Sequence, residues 1–371
     1  MKFSVSSSEL LKKLSLANGV IGSNTVLPIL EDFLFKLSEN KLTIIASNLE
    51  TTVITDIEVA MEEDGDIAIP AKILMDTLKA LPEQPITIEV DHGTRAITLT
   101  SAYGKYKLAG DSPEDYPELP ASEEVDQIIL SEEVLSKALN KTLFATSSDE
   151  LRMAMQGLYF QIEETGLIFV ATDAHKLVKY SFQTESTNKV NSFIVPKKGL
   201  NLLKNAISGD GEVELSYNKQ NAFFKLADSE IIIRLIDAKY PDYNAVIPYD
   251  NANILNLDRV DFLNSLRRIS IYANKSTNQV VLNLTEGSLT VSAQDLDFSN
   301  EATEQMSCEY DGDTMNIGFN AKFLIEMLNV IGVDQVSFKL SSPNRAGILV
   351  PTDQDENEEL IMLVMPVMMG N

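Results

Sequence analysis

This chain matches itself three times, and no other feature limits its possible folds as much. Residues 42–50 read LTIIASNLE, residues 167–175 LIFVATDAH and residues 289–297 LTVSAQDLD, so Ala46, Ala171 and Ala293 recur at intervals of 125 and 122 residues. A second triplet keeps nearly the same interval: AIPAKILMDTLKALP from Ala68, FIVPKKGLNLLKNAI from Phe193 and IGFNAKFLIEMLNVI from Ile317. A third opens each unit: SSSELLKKLSLANGV from Ser6, LSEEVLSKALNKTLFATS from Leu130 and LDRVDFLNSLRRISIYAN from Leu257. Self-similarity at a fixed period determines architecture before any single motif does.

Each triplet reads as a structural element. The first is a β-rich run ending in a polar turn. The second is a short strand, a Pro or Asn start signal and then apolar residues at helical spacing, with Ile73, Leu74, Leu78 and Leu81 expected as the buried stripe of the first copy. The third places Ser or Asp at the helix cap ahead of a second helical period. Between the helices, Ile86, Ile88 and Val90, then Ile97 and Leu99, then Tyr106 and Leu108 alternate as antiparallel strands do, separated by turns such as DHGT and TEGS. The expected fold is α+β: three tandem similar domains, 1–124, 125–248 and 249–371, each of antiparallel sheets with two helices. The stretches 111–124 and 237–253, rich in Pro, Asp and Tyr, read as tethers.

Similar units can repeat head to tail, and a heterologous contact whose rotations close gives a ring. Two copies of a three-unit chain would make six units. With helices inside and sheets joined edge to edge outside, twelve helices would line the hole. Charge bears on this geometry. The chain carries −25, from 30 Lys and Arg against 55 Asp and Glu, which taken alone argues against binding phosphates. The six helix windows nevertheless carry +6, leaving −31 elsewhere. A DNA channel inside an acidic shell requires that segregation. The residues expected to face DNA are Lys12, Lys13, Lys72, Lys79, Lys137, Lys141, Lys197, Lys198, Lys204, Arg267, Arg268 and Lys322. Spaced lysines contact phosphate without reading bases, so double-stranded DNA would be held without sequence preference.

Composition narrows the remaining classes. At 44% hydrophobic and 23% charged the chain folds, and 371 residues suffice for several cores. The opening MKFSVSSSELLKK lacks the apolar stretch of a signal peptide, and the longest apolar run, near Leu360–Met369, is about half a membrane span. A cytoplasmic protein without membrane attachment is expected. Cys308 is the only cysteine, so no intrachain disulfide forms.

Seven segments in order then carry a resemblance over essentially the whole chain: MKFSV, VLPIL at Val26–Leu30, VATDAHKL at Val170–Leu177, VPKKG at Val195–Gly199, YPDY at Tyr240–Tyr243, IGFN at Ile317–Asn320 and VMPV at Val364–Val367. The chain resembles the bacterial replicative sliding clamps, the β subunits of DNA polymerase III. The resemblance implies a homodimeric ring opened by a clamp loader, a processivity factor holding the polymerase III catalytic subunit to duplex DNA. Translesion polymerases, mismatch-repair proteins and DNA ligase would be further partners. It also implies a hydrophobic pocket for a short peptide, a glutamine followed by leucines and an aromatic. Carried over, that pocket is Met155, Thr172, His175, Lys176, Leu177, Pro241, Val246, Asn320, Phe323, Ala346, Leu363, Val364, Met365, Pro366, Val367 and Met368. Ring closure is implied between Tyr106 and Leu108 of one chain and Ile271 and Tyr272 of the other. The chain departs from the family at Ala174, where glycine is usual, at Ala245 and Met368, where arginines often lie, and at Asn24, where a DNA-contacting basic residue is common. Independently of the resemblance, LIMLVMPVMM is too apolar for a free tail, and methionines suit a surface that accepts several ligands. Part of it would be a strand buried in its own core.

Two rival readings remain. An enzyme is suggested by Asp173 and His175, which a strand would place on one face; yet there is no phosphate loop, no HExxH, no zinc-type cysteine spacing and no glycine-rich dinucleotide turn. Neither a catalytic residue nor a metal or cofactor is expected. A monomeric β-rich scaffold that binds peptides through its apolar C-terminus is the other rival, and it would have no topological hold on DNA.

Overall fold

The computed structural model describes residues 1–22, 27–122, 125–184 and 189–368. The position of Asn24 lies outside them. The six expected helices are α1 (Ser7–Asn18), α2 (Ala71–Ala80), α3 (Glu132–Thr142), α4 (Lys197–Ala206), α5 (Arg259–Ile269) and α6 (Ala321–Val330). The chain divides into two compact units, one of 1–136 with 198–235 and one of 137–197 with 236–371, so the boundary falls within α3 and at the start of α4.

The first unit holds a five-stranded sheet in the order Ala60–Glu63, Lys2–Ser6, Pro85–Val90, Ala96–Ser101, Gly104–Ala109. Its eight-stranded sheet runs Asp126–Ser131, Glu212–Tyr217, Asn221–Lys225, Ser229–Arg234, Thr51–Glu58, Lys41–Ser47, Asp32–Ser38, Gly65–Pro70. The second unit holds a nine-stranded sheet: Asn191–Pro196, Gly157–Glu163, Gly166–Thr172, Lys176–Gln183, Glu358–Val364, Gly347–Pro351, Gln335–Leu340, Asn253–Asp258, Glu309–Asp311. Its four-stranded sheet runs Asn300–Ser307, Ser288–Asp295, Gln279–Thr285, Met315–Asn320.

These orders contain the repeat. Each third of the chain builds two four-stranded blocks of fixed order, with one short strand added in the first third, Ala60–Glu63, and one in the last, Glu309–Asp311, and neighbouring thirds join block to block. The joins are antiparallel and share one register: Ile231 pairs with Val53 in the first unit, and Met362 with Val178 in the second. Val53 and Val178 each lie opposite the repeat alanine of their own hairpin, Ala46 and Ala171. The repeat therefore extends to individual residue pairs.

Alternation along the strands buries one face, as in Ile86, Ile88 and Val90, each at most 4% exposed. Every such side chain removed from water contributes roughly 1.5–3 kcal/mol. On α2 the buried stripe is Ala71, Leu74, Met75 and Leu78. The expected Ile73 is instead half exposed, and Leu81 falls beyond the helix with partial burial. Four apolar residues over three turns overfill a one-sided stripe, and helical phase excludes Ile73 once Leu74 and Leu78 are inside. Helix caps follow the sequence in two of three copies. Asp258 accepts from Asp261 N–H and Ser131 Oγ from Val134 N–H, whereas Ser6 spends its hydroxyl on Ser8. Gly199, inside α4, lies where a Cβ would stand 2.7 Å from Ile233, so the helix rests directly on that strand.

Among the described residues, the segments read as tethers are anchored. Tyr116 is buried with Leu30, Leu34 and Ile45, and Tyr240, Tyr243 and Ile247 belong to the core of the second unit. Spaced single aromatics anchor an aperiodic stretch that hydrophobic periodicity cannot register.

Candidate functional site

The turn joining strands Gly166–Thr172 and Lys176–Gln183 organises the best-built surface. Asp173 Oδ1 accepts the backbone N–H groups of His175 and Lys176, both at 2.9 Å, and Thr172 Oγ accepts that of Ala174 at 3.1 Å. Ala174 closes the turn at φ +74°. Asp173 and His175 therefore lie in a turn and not on one face of a strand, and the aspartate is occupied holding backbone. The same device recurs in the first repeat, where Asn48 Oδ1 takes the N–H groups of Glu50 and Thr51 around Leu49 at φ +71°.

Lys176 is buried, 5% exposed, with Nζ 2.7 Å from Asp173, 3.2 Å from Glu326 and 4.3 Å above the Phe323 ring. It supports the surface from beneath. His175 is exposed and its ring lies 6.2 Å from that of Phe323, in parallel. Asn320 caps α6 by accepting from Lys322 N–H, which fixes the end of the helix that carries Phe323.

The C-terminal strand completes the site. Glu358–Val364 pairs with Lys176–Gln183 on one side and Gly347–Pro351 on the other. Beyond it, Met365 N–H donates to His175 O at 2.9 Å and Val367 N–H to Gly318 O at 2.8 Å. Leu177, Leu363, Ala346, Ile348, Val170, Tyr240 and Tyr243 form the floor. Tyr240 stacks on Tyr159 with centroids 4.5 Å apart and donates to Val170 O at 3.1 Å. Burial pushes its phenol well above the usual range, so it remains a donor.

All sixteen residues expected of the pocket thus belong to one compact unit. Thr172, Lys176, Leu177, Ala346, Leu363 and Val364 are buried; Met155, Pro241, Asn320, Phe323, Pro366 and Val367 are partly so; His175, Val246, Met365 and Met368 are exposed. Val246 at 55% and Met368 at 77% exposure leave apolar surface facing water. Ala245 is exposed beside them. Arg152 was not among the expected residues. It donates to Asp173 O at 3.1 Å and pairs with Asp149, bringing the 149–156 segment with exposed Leu151 and Met153 against the turn. No sequence signal marks a guanidinium that reaches a backbone carbonyl twenty-one residues away.

All twelve basic residues expected to face DNA lie on the six helices. In the first unit Lys12, Lys72, Lys79, Lys198 and Lys204 are exposed, and Lys13 pairs with Asp228. In the second, Lys322 is exposed and Lys197 partly buried. Lys137 and Lys141 each reach Glu358 at 2.8 Å, Arg267 donates to Asn329 at 2.7 Å, and Arg268 makes two 2.7 Å bonds to Glu304. Tyr106 and Leu108 lie half-buried on the free edge strand Gly104–Ala109. Ile271 and Tyr272, 65% and 43% exposed, lie in the turn after α5, against another edge strand, Asn300–Ser307.

Among the described residues no group of three or more His, Cys, Asp and Glu is placed to hold a metal ion, and no helix is long and apolar enough to cross a membrane.

Three blocks-of-two domains in tandem, joined through sheet edges and bearing an apolar surface beside the last strand, define a clamp-type fold. Three family models match in succession: the DNA polymerase III beta subunit N-terminal domain at residues 1–120, central domain at 129–242 and C-terminal domain at 244–366. The chain belongs to the DNA polymerase III beta subunit family, and its function is that of a processivity clamp. Among curated proteins it is 28% identical to the beta sliding clamp of Vibrio cholerae, over 99% of this chain and 100% of that one, and 29% identical to that of Synechococcus elongatus, over 99% of each. Among solved structures it is similar to the DnaN sliding clamp of Pseudomonas aeruginosa bound to griselimycin, with TM-score 0.95, 27% identity and full coverage of both chains. The Bartonella birtlesii clamp bound to the same compound gives 0.94 and 27%, also with full coverage.

Proposed function

We propose that two copies of this chain, each of domains 1–124, 125–248 and 249–371, close head to tail around duplex DNA in the cytoplasm. There the ring tethers the polymerase III catalytic subunit and is opened by a clamp loader. The observation that supports this reading most is the shared register of the two sheet joins within the chain. The block edges that correspond to those joined ones, Gly104–Ala109 and Asn300–Ser307, have no strand partner among the described residues. Tyr106 corresponds to Ile231 and Met362, and Ala302 to Val53 and Val178, through their matching hairpin partners. A third join of the same kind would place Tyr106 opposite Ala302 of a second copy, and Lys107 opposite Glu301. An exposed strand edge is an aggregation liability unless covered, and this join covers both.

The exposed helix lysines would contact phosphate, while the surface around His175, Val246, Met365 and Met368 would receive apolar partner peptides, including those of translesion polymerases, mismatch-repair proteins and ligase. Met side chains adapt to several ligands. The chain would itself catalyse no reaction, its one suggestive Asp–His pair being committed to a turn.

The test loads the protein onto nicked circular DNA and then linearises the circle. A ring held by topology slides off the ends within the time of the cut. A groove binder stays, with a steep salt dependence, and that result would rule the ring out.

A further inference from the structure

Asp32 and Asp111 have no part in the clamp's peptide site or sheet joins. Asp32 opens its strand opposite Pro70 and is 5% exposed. Across the other edge of strand Gly65–Pro70, Asp111 bridges to Ala68, its N–H donating to Ala68 O at 2.9 Å and Ala68 N–H donating back at 3.3 Å. Pro70 and Ala68 are two residues apart, so Asp32 and Asp111 share one face of the sheet. Asp32 Oδ2 meets no donor among its described protein neighbours. The charges acting on it are those of Asp111 and Glu31, both of its own sign, and the Tyr116 phenol is buried beside it. The Asp32 side chain is hydrogen-bonded to that of Asp111; a hydrogen bond between two carboxyl groups exists only when one is protonated, and a buried carboxylate facing a second of the same charge is disfavoured.

We propose that Asp32 and Asp111 share one proton and thereby form a pH-sensitive latch that seats segment 110–116 on strand Gly65–Pro70. The segment has little slack. Gly110 N–H donates to Arg95 O at 2.9 Å, and a Cβ on Gly110 would stand 2.9 Å from Ala68 O. Ser112 and Tyr116 are buried. The latch sits immediately after the free edge strand Gly104–Ala109, so its release loosens the root of that edge. Burial first, and then the charge of Asp111, raise the Asp32 pKa from its ordinary value to about 7. A raised folded-state value means the contribution is complete in acid, below the unfolded pKa, and is lost as pH rises through about 7.

Hydrogen exchange on the full-length protein between pH 5 and 9 tests this. The readout is the protection factor of the Ala68 and Asp111 amides, referenced to amides of strand Lys41–Ser47. In the wild type it falls as pH rises toward about 7, by at most about tenfold per pH unit for one proton, and levels off above. Asp32→Asn and Asp111→Asn each supply a permanent N–H donor, and their protection stays flat. Asp111 is exposed, so the second variant keeps the test open if the first does not fold. Constant protection in the wild type, or a fall that persists in both variants, overturns the latch. Recovery of wild-type protection at pH 9 on adding Mg²⁺ or Ca²⁺, absent in the variants, would show a cation in place of the proton and overturn it equally.

Discussion

Ala174 holds a left-handed backbone at φ +74° because the turn it closes needs that geometry for Asp173 to cap two N–H groups. An L-residue with a Cβ costs about 1–2 kcal/mol there, whereas glycine costs roughly 0.5–1 kcal/mol of chain entropy on folding. Ala174→Gly is therefore expected to raise stability by up to about 1 kcal/mol, read as a higher melting midpoint; a lower midpoint would show that the alanine methyl packs better than its strain costs. The sequence showed this residue as a departure from its family without showing the direction of its effect. The residues expected of the pocket come from short local motifs and fall in one compact unit, but their depth was not legible. Lys176, of a residue type seldom buried, lies buried because Asp173 of its own turn and Phe323 and Glu326 of α6 surround its ammonium.

Among the elements, helix and strand identities follow periodicity, while the pairing of distant strands does not. Lys137 and Lys141 on α3 illustrate the difference. Read along the helix they are candidate DNA contacts, yet both bond to Glu358 on the last strand, 221 and 217 residues away. Burial alone would push the Glu358 carboxyl up, but hydrogen bonds from Lys137, Lys141 and Tyr180 outweigh it and hold it at about 2. A depressed folded-state value stabilises above the unfolded pKa and is lost as pH falls through about 2. Glu358→Gln is expected to cost about 2–3 kcal/mol at pH 7, with the gap from wild type narrowing as pH drops from 5 toward 2 in thermal melts. A gap independent of pH would mean that packing, not charge, ties α3 to the strand. A second element-level consequence of the repeat is a polar twin of the peptide site. Arg234 N–H donates to Glu50 O at 2.8 Å as Met365 does to His175, but the open cleft of about 510 Å³ there is lined by Asn218, Gln220, Asn221 and Arg234. One backbone frame thus offers an apolar surface once per chain and amide-rich walls the other time.

For the whole molecule, the ring is an inference from correspondence, and it commits to a register. With native Cys308 replaced by serine, Tyr106→Cys paired with Ala302→Cys should give a covalent dimer under mild oxidation, while Tyr106→Cys with Glu304→Cys should not, being displaced by two residues. Equal yields from both pairs would refute the shared register. The number of repeats and the position of each helix were legible in the sequence; which edges remain free was not, because that depends on non-local register, invisible to any window along the chain.

Two kinds of sheet join in the proposed ring are backed by covalent chain, since the strands they unite belong to one polypeptide. The third relies on noncovalent pairing alone. Any machine that must part the circle to admit DNA therefore has a seam chosen in advance, and residues 104–109 with 300–307 govern how long a closed circle persists without touching what the inside holds or what the outer pocket recruits.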